Sequence, residues 1–197
     1  MAGGLTAEQK NILLSMAANV NLAADLARAY VTIYVPDDNP KFLQVYACGE
    51  PVTRLVWQQK NNQGRQVRLR EEPLLTRALQ RNLTVSGLRE YVLGQFAYLK
   101  VYPVCDTHNR CFALVSLEMM DEPAAFAEAA VVFLLSSSRS YEGNICYRRL
   151  SSIDGLILVD AQALITAANI TAPHIFQVLG VEKLTGRWTG SFAIKWR

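Results

Sequence analysis

The sequence predicts an α+β fold: an antiparallel sheet flanked by helices, then a long linker helix and part of a second, smaller module. Three observations predict it. β-Branched and aromatic runs at 30–35 and 42–48 sit either side of Pro36-Asp37-Asp38-Asn39-Pro40, the pattern of two strands joined by a turn. A second pair of runs, 96–104 and 111–118, flanks the stretch Asp106 to Arg110, the pattern of a hairpin. Segments with apolar residues at helical spacing stand before, between and after these pairs.

Composition bounds the possibilities. The 197 residues are 51% hydrophobic and 19% charged, enough to bury one full domain and part of another. A net charge of +3 without a dense basic stripe argues against a nucleic-acid partner. Arg65, Arg68, Arg70, Arg77 and Arg81 accumulate in one region and read as a solvated basic face. The N-terminus carries no basic region followed by an apolar run, so it does not read as a signal peptide. The longest apolar stretch, Ala124 to Leu135, is interrupted by Glu128 and falls short of the ~20 residues that span a bilayer. The expectation is a cytoplasmic protein without a membrane partner.

The elements follow in order. Thr6 is placed to cap a helix whose residues Leu13, Met16, Ala17, Val20, Ala24 and Ala27 share one face up to about Arg28. The strands at 30–35 and 42–48 come next, the second stopped at Gly49, with a third expected at 53–58. Asn61 to Gly64 reads as a loop and Glu71 to Gln80 as a short helix with Pro73 in its first turn and Leu74, Leu75, Ala78 and Leu79 inward. In the hairpin, Tyr98, Lys100 and Tyr102 alternate with Leu99, Val101 and Pro103, so one face is half exposed. A long helix is expected from Pro123 to about Leu150, with Phe126, Ala129, Ala130, Phe133, Leu134, Tyr141, Ile145 and Leu150 as its apolar stripe. Ser136-Ser137-Ser138 and Gly143 weaken its second half. Beyond it, 155–160 and 164–167 read as strands, 169–179 as a helical region and 180–187 as a loop.

No catalytic constellation emerges. The chain has two histidines, His108 and His174, and neither sits in a phosphoacceptor setting. There is no glycine-rich phosphate loop after a strand and no Gly-x-Ser-x-Gly elbow. Asp37-Asp38 and Glu71-Glu72 fall at a turn and a helix start, where acids are expected. Cys48, Cys105, Cys111 and Cys146 do not form a disulfide framework. Cys105, His108 and Cys111 give C-x2-H-x2-C across the hairpin turn, with no fourth ligand close in sequence. They read as small residues packing beside the turn, with a metal or redox site as the alternative.

Two resemblances organise these elements. The stretch Ile153-Asp154-Gly155-Leu156-Ile157-Leu158-Val159-Asp160, then Ile165-Thr166-Ala167-Ala168-Asn169, then Leu179-Gly180-Val181-Glu182-Lys183-Leu184-Thr185-Gly186-Arg187 resembles the start of a PAS domain. It ends after the first strands and helices of that fold, which implies a truncated PAS domain over 153–197. The front of the chain resembles the N-terminal GAF-like sensor domain of soluble bacterial histidine kinases. The matching residues are Ala24-Asp25-Leu26, Tyr30 to Pro36, Glu71 to Leu79 and Arg89 to Val104. Such families place Arg-Pro before a Thr after the second strand; here the residues are Cys48-Gly49-Glu50-Pro51-Val52-Thr53. The resemblance implies a GAF-like sensor over 1–122, a signalling helix over 123–152 and the partial PAS module. It further implies the sensory input region of a cytoplasmic bacterial two-component histidine kinase. Such a region binds a small molecule and passes the signal to a kinase core outside this chain, and through it to a response regulator.

Within that frame, Tyr34, Tyr46, Thr53, Tyr98 and Tyr102 are the candidate ligand residues, combining aromatic walls with hydroxyls as a small polar ligand requires. Phe133, Leu134, Tyr141 and Ile145 are the candidate seam of a homodimer along the linker helix. No haem, flavin, chromophore or metal signature is visible, so no cofactor is expected. A different output domain, or a free-standing GAF-like binding protein, is the alternative reading.

Overall fold

The structure is a computed structural model that describes residues 4–52, 62–119, 125–137, 149–151, 153–178, 180 and 183–189. The chain divides into two compact units, Met1–Arg149 and Leu150–Arg197.

In the first unit, helix α1 (Ala7–Ala27) opens with a capping box: the Thr6 hydroxyl accepts from the Gln9 amide, and the Gln9 side chain accepts from the Thr6 amide. It closes on Arg28 in the left-handed conformation. Strands β1 (Tyr30–Pro36) and β2 (Phe42–Gly49) form the expected hairpin, and β3 (Gln66–Arg68) adds a short edge. A single 3-10 turn (Leu69–Glu71) leads into α2 (Pro73–Arg81), with Pro73 at its first turn and Asn82 in the left-handed conformation at its end. Strands β4 (Val85–Val92), β5 (Gln95–Cys105) and β6 (Cys111–Met119) form an antiparallel meander, followed by α3 (Ala125–Ser137). The six strands make one antiparallel sheet in the order β3-β2-β1-β6-β5-β4.

The sheet separates two cores. On one face α1 and α3 bury Leu13, Met16, Val20, Ala127, Ala130, Val131 and Leu134 against Val31, Ile33, Val35, Val115 and Leu117. On the other face α2 contributes Leu75 and Ala78, packed on Leu43, Val45, Leu99, Val101 and Leu114. Strand alternation assigns the faces: along β1 the odd residues point to α1 and α3, the even residues to the α2 side. One irregularity matters. Ile33 pairs with Ala47 and Tyr34 with Val45, so Tyr46 is the extra residue of a β-bulge. Gly49 is required where β2 meets α1: a Cβ there would stand 2.4 Å from the Val20 carbonyl oxygen.

Several expectations change. Strand β4 was not anticipated, because Ser86, Gly87, Arg89 and Glu90 interrupt its apolar alternation. The strand expected at 53–58, and residues 138–148 of the long helix, lie outside the described residues.

In the second unit, β7 (Ile157–Val159) and β8 (Ile165–Ala168) form an antiparallel pair followed by α4 (Thr171–Val178). Buried Asn169 holds it together. Its Oδ1 accepts from the amides of Leu156 at 3.0 Å and Ala172 at 2.9 Å, and its Nδ2 donates to the Asp154 carbonyl at 2.8 Å. Ile165, Ala172 and Leu184 form the small core.

Candidate functional site

The α2 face of the sheet does not stay dry along its length. Where Leu75 and Ala78 end, the sheet presents Thr32, Tyr34, Ser116 and Glu118, all buried. Thr32 and Ser116 are direct cross-strand partners, and Tyr30 opposes Glu118. Over Thr32 and Tyr34 lies a cleft of about 350 Å³, walled by β2, β3, the Glu71-Glu72 step that leads into α2, and Arg89 of β4; Ser116 and Glu118 stand behind it, bonded to Tyr34 and Arg89.

The polar groups are bound to one another. The Tyr34 side chain is hydrogen-bonded to Ser116 and Thr32, and burial holds its phenol above the ordinary value, so the hydroxyl stays protonated. Arg89 Nη1 donates to Glu118 Oε2 at 3.2 Å and its Nη2 donates to Glu72 Oε1. Glu72 occupies the N-cap of α2 without capping it, because its carboxylate is turned to Arg89. Burial pushes the Glu72 carboxyl above its usual range, Arg89 pulls it back, and Glu118 pushes it up again. Arg89 thus ties the N-terminus of α2 to the floor through a carboxylate on each side. At the mouth, Arg65, Gln66, Arg68 and Asn62 supply donors, with Arg68 bonded to Glu71 at 3.4 Å and set 5.9 Å from the Phe42 ring centroid. The arrangement suits a small polar ligand that exchanges hydrogen bonds with hydroxyls below and guanidinium groups at the rim. Among the described residues, no group of three or more His, Cys, Asp or Glu is placed to hold a metal ion. Among them too, no helix is long and apolar enough to cross a membrane.

The sequence-predicted residues do not converge. Tyr34 lines the cleft. Tyr46, Tyr98 and Tyr102 pack instead against the α1 and α3 core, on the opposite face. For Tyr46 the bulge is the cause; for Tyr98 and Tyr102 it is strand parity, since Leu99 and Val101 take the α2 side. The half-exposed face expected for Tyr98, Lys100 and Tyr102 is found. The Lys100 ammonium lies 5.3 Å from the Tyr102 ring centroid. Thr53, Tyr141 and Ile145 lie outside the described residues. Leu134 has no accessible surface and packs in its own unit's core, so it has nothing to offer a dimer seam; Phe133 is half-buried against the same core. Arg89, Glu72 and Arg65 were not foreseen as cleft residues. Their signal was the run of Arg65 and Arg68, read as a solvated face, whose members rim the cleft.

A six-stranded antiparallel sheet with paired helices on one face, and a single helix over a polar cleft on the other, defines a GAF-type sensor module. Residues 2–125 match the family model described as the GAF domain of the histidine kinase PdtaS, and the chain belongs to that family. Among solved structures, the sensor region of a sensor histidine kinase superposes with a TM-score of 0.60 at 18% identity, covering 92% of this chain and 68% of that one. The second GAF domain of DevS from Mycobacterium smegmatis aligns at TM-score 0.46 and 11% identity, covering 64% of this chain and 90% of that one. A comparison with curated protein sequences gave no significant match.

Proposed function

We propose that this chain is the sensory input region of a cytoplasmic bacterial two-component histidine kinase, and that its GAF module binds a small polar molecule in the α2-side cleft. The observation that carries the reading is a cleft of about 350 Å³ lined by buried Thr32 and Tyr34 together with Glu72, Arg65 and Arg89, beside the apolar part of the same sheet face. In this reading the ligand favours one packing of α2 over another, since only differential affinity for two states transmits a signal. The change passes along the segment 123–152 into the PAS-like segment 153–197, and from there to a kinase core and its response regulator. We read the assembly as a homodimer in which Phe133, Tyr141 and Ile145 contribute to the seam; exposed Val132 on α3 and Leu14 on α1 favour a partner on that side.

The test is a thermal-shift screen of small polar metabolites against the wild-type chain and the Tyr34→Phe and Arg65→Met variants. The expected result is a compound that stabilises the wild type and loses at least tenfold in affinity on Arg65→Met. A ligand unaffected by both substitutions would place binding elsewhere and defeat the reading.

A further inference from the structure

Cys105 ends β5 and Cys111 begins β6, and the two are direct cross-strand partners at the mouth of the hairpin. They face the same side of the sheet. Cys111 packs on the α2-side core, and Cys105 Sγ donates to Oδ1 of Asn82, the residue that ends α2, at 2.9 Å. Cys111 Sγ donates to the Ala113 carbonyl at 3.2 Å. Both thiols are free and neither is fully buried. Burial, and then the charge of Cys105, push the Cys111 thiol up to about 11.

The turn between them is pre-set. Asp106 Oδ1 accepts from the amides of His108 at 2.9 Å and Arg110 at 3.0 Å, and Asn109 takes the left-handed conformation. The register shifts between Val104 and Cys105, which leaves Phe112 as the extra residue of a β-bulge beside the pair; in a regular antiparallel ladder, directly opposed residues hold their Cβ atoms about 4.5–5.5 Å apart. A disulfide prefers about 3.8 Å. A contraction of about 1 Å at the end of a hairpin closes that gap, and a bond made under such strain is easily reduced again.

We propose that Cys105 and Cys111 form a reversible dithiol–disulfide site, oxidised by a hydroperoxide, and that oxidation releases the C-terminal end of α2. In the first step the Cys105 sulfur takes one oxygen of hydrogen peroxide as the O–O bond breaks, and the thiol's proton goes to the leaving hydroxide, giving a sulfenic acid and one water. In the second the Cys111 sulfur attacks the Cys105 sulfur, the S–S bond forms, and hydroxide leaves as water with the thiol's proton. Two thiols and one peroxide yield one disulfide and two waters. Cys105 is the attacked thiol because Cys111 stays protonated near neutral pH. The disulfide carries no S–H, so the bond to Asn82 is lost. Asn82 also holds the turn through Nδ2, which donates to the Asn109 carbonyl at 3.1 Å, so its release loosens the junction between α2 and the hairpin. Since Glu72, the N-cap residue of α2, lines the cleft, the thiol pair and the cleft sit at the two ends of one helix.

The experiment uses the full chain, reduced, then treated with hydrogen peroxide at pH 7.5, alkylated and digested with trypsin. Cleavage after Lys100, Arg110 and Arg139 separates the two cysteines into peptides 101–110 and 111–139. The expected result is that these two peptides appear disulfide-linked and return to alkylated thiols after dithiothreitol. The link persists in Cys48→Ser and Cys146→Ser and disappears in Cys105→Ser, whose hydroxyl keeps the Asn82 bond and the fold. Hydrogen exchange at the C-terminal amides of α2 should become several-fold faster in the oxidised protein. A peroxide dose that oxidises Cys48 or Cys146 while leaving 105 and 111 unlinked overturns the site. A link that forms with no change in α2 exchange overturns the coupling.

Discussion

Replacing Arg89 by Met tests whether the floor of the cleft is held by charge. Glu118 is 5% exposed and the Glu72 side chain 12% exposed, and Arg89 is bonded to both. Met fills much of the guanidinium's volume but leaves two carboxylates facing each other in a desolvated pocket. Removing one partner of a buried ion pair costs about 3–5 kcal/mol, and the partial exposure of Arg89 sets the expectation at the lower end, about 3 kcal/mol. With a urea slope of about 2 kcal/mol per M, the unfolding midpoint falls by about 1.5 M at pH 7.5. The penalty depends on pH with a fixed sign. The Glu72 carboxyl is already raised in the folded protein, and losing Arg89 removes the influence that lowers it. A raised carboxyl favours the folded state fully below its unfolded value and loses that contribution as pH rises through its folded value. The Arg89→Met deficit should therefore shrink between pH 7.5 and pH 5. Urea titrations at both values measure it, with Arg89→Lys, which keeps the charge but not the fork, falling between. A deficit under about 1 kcal/mol that is the same at both pH values would falsify the tie, and would make the three side chains a solvated rim.

Three further outcomes follow from the same geometry. Gly49→Ala should destabilise by about 1–3 kcal/mol in chemical denaturation, since its Cβ would meet the Val20 carbonyl oxygen at 2.4 Å and carbon at 2.7 Å, backbone atoms that cannot swing aside. The Asp25 side chain is wholly buried and accepts from the Val52 amide at 2.9 Å and from Arg149 Nε at 2.7 Å. Asp25→Ala should cost about 2–4 kcal/mol, and the double mutant with Arg149→Ala should cost less than the sum of the singles; strict additivity refutes the pair. The Arg110 amide, and after it the Arg110 side chain and the His108 amide, hold the Asp106 carboxyl below its usual 3.8. Its contribution is present above that value and lost as pH falls through the folded value, so the protection factors of the β5–β6 turn amides, corrected for intrinsic exchange at each pH, should fall on acidification, and Asp106→Asn should abolish that dependence.

The fold was legible where burial is two-sided or periodic. Tyr30 to Val35 is buried throughout, and a continuous β-branched run bounded by Pro36 announces that. Thr6 and Gln9 announce the start of α1 because the capping box is written in side-chain chemistry. Strand β4 was hidden because its residues answer to the cleft and the sheet edge rather than to a dry core: Arg89 is polar on the side where hydropathy expects an apolar residue. The tyrosines misled for a different reason. Periodicity says which residues share a face, but not which face meets which helix. A single bulged residue, Tyr46, reverses parity without leaving a trace in composition.

The two faces of the sheet also differ in how firmly their helices are held, and this bears on where a signal would act. Helices α1 and α3 bury Leu13, Met16, Val20, Val131 and Leu134 in one continuous core. Helix α2 buries Leu75 and Ala78 fully, packs Leu74 and Leu79 half-buried against the same core, and is tied at its ends by Glu72 to Arg89 at the start and by Asn82 to Cys105 and Asn109 at the finish. Burying a leucine contributes about 1.5–3 kcal/mol, so moving α1 or α3 means giving up several such terms, whereas α2 gives up one full term and two partial ones, together with polar ties that a ligand or an oxidant can replace. Local opening therefore costs less at α2 than at α1 or α3, and Glu72 at its N-cap lines the cleft. A ligand that displaces Glu72 from Arg89 and an oxidant that removes the thiol from Asn82 would act on opposite ends of the same short helix. Their effects on α2 exchange should then be mutually dependent rather than additive.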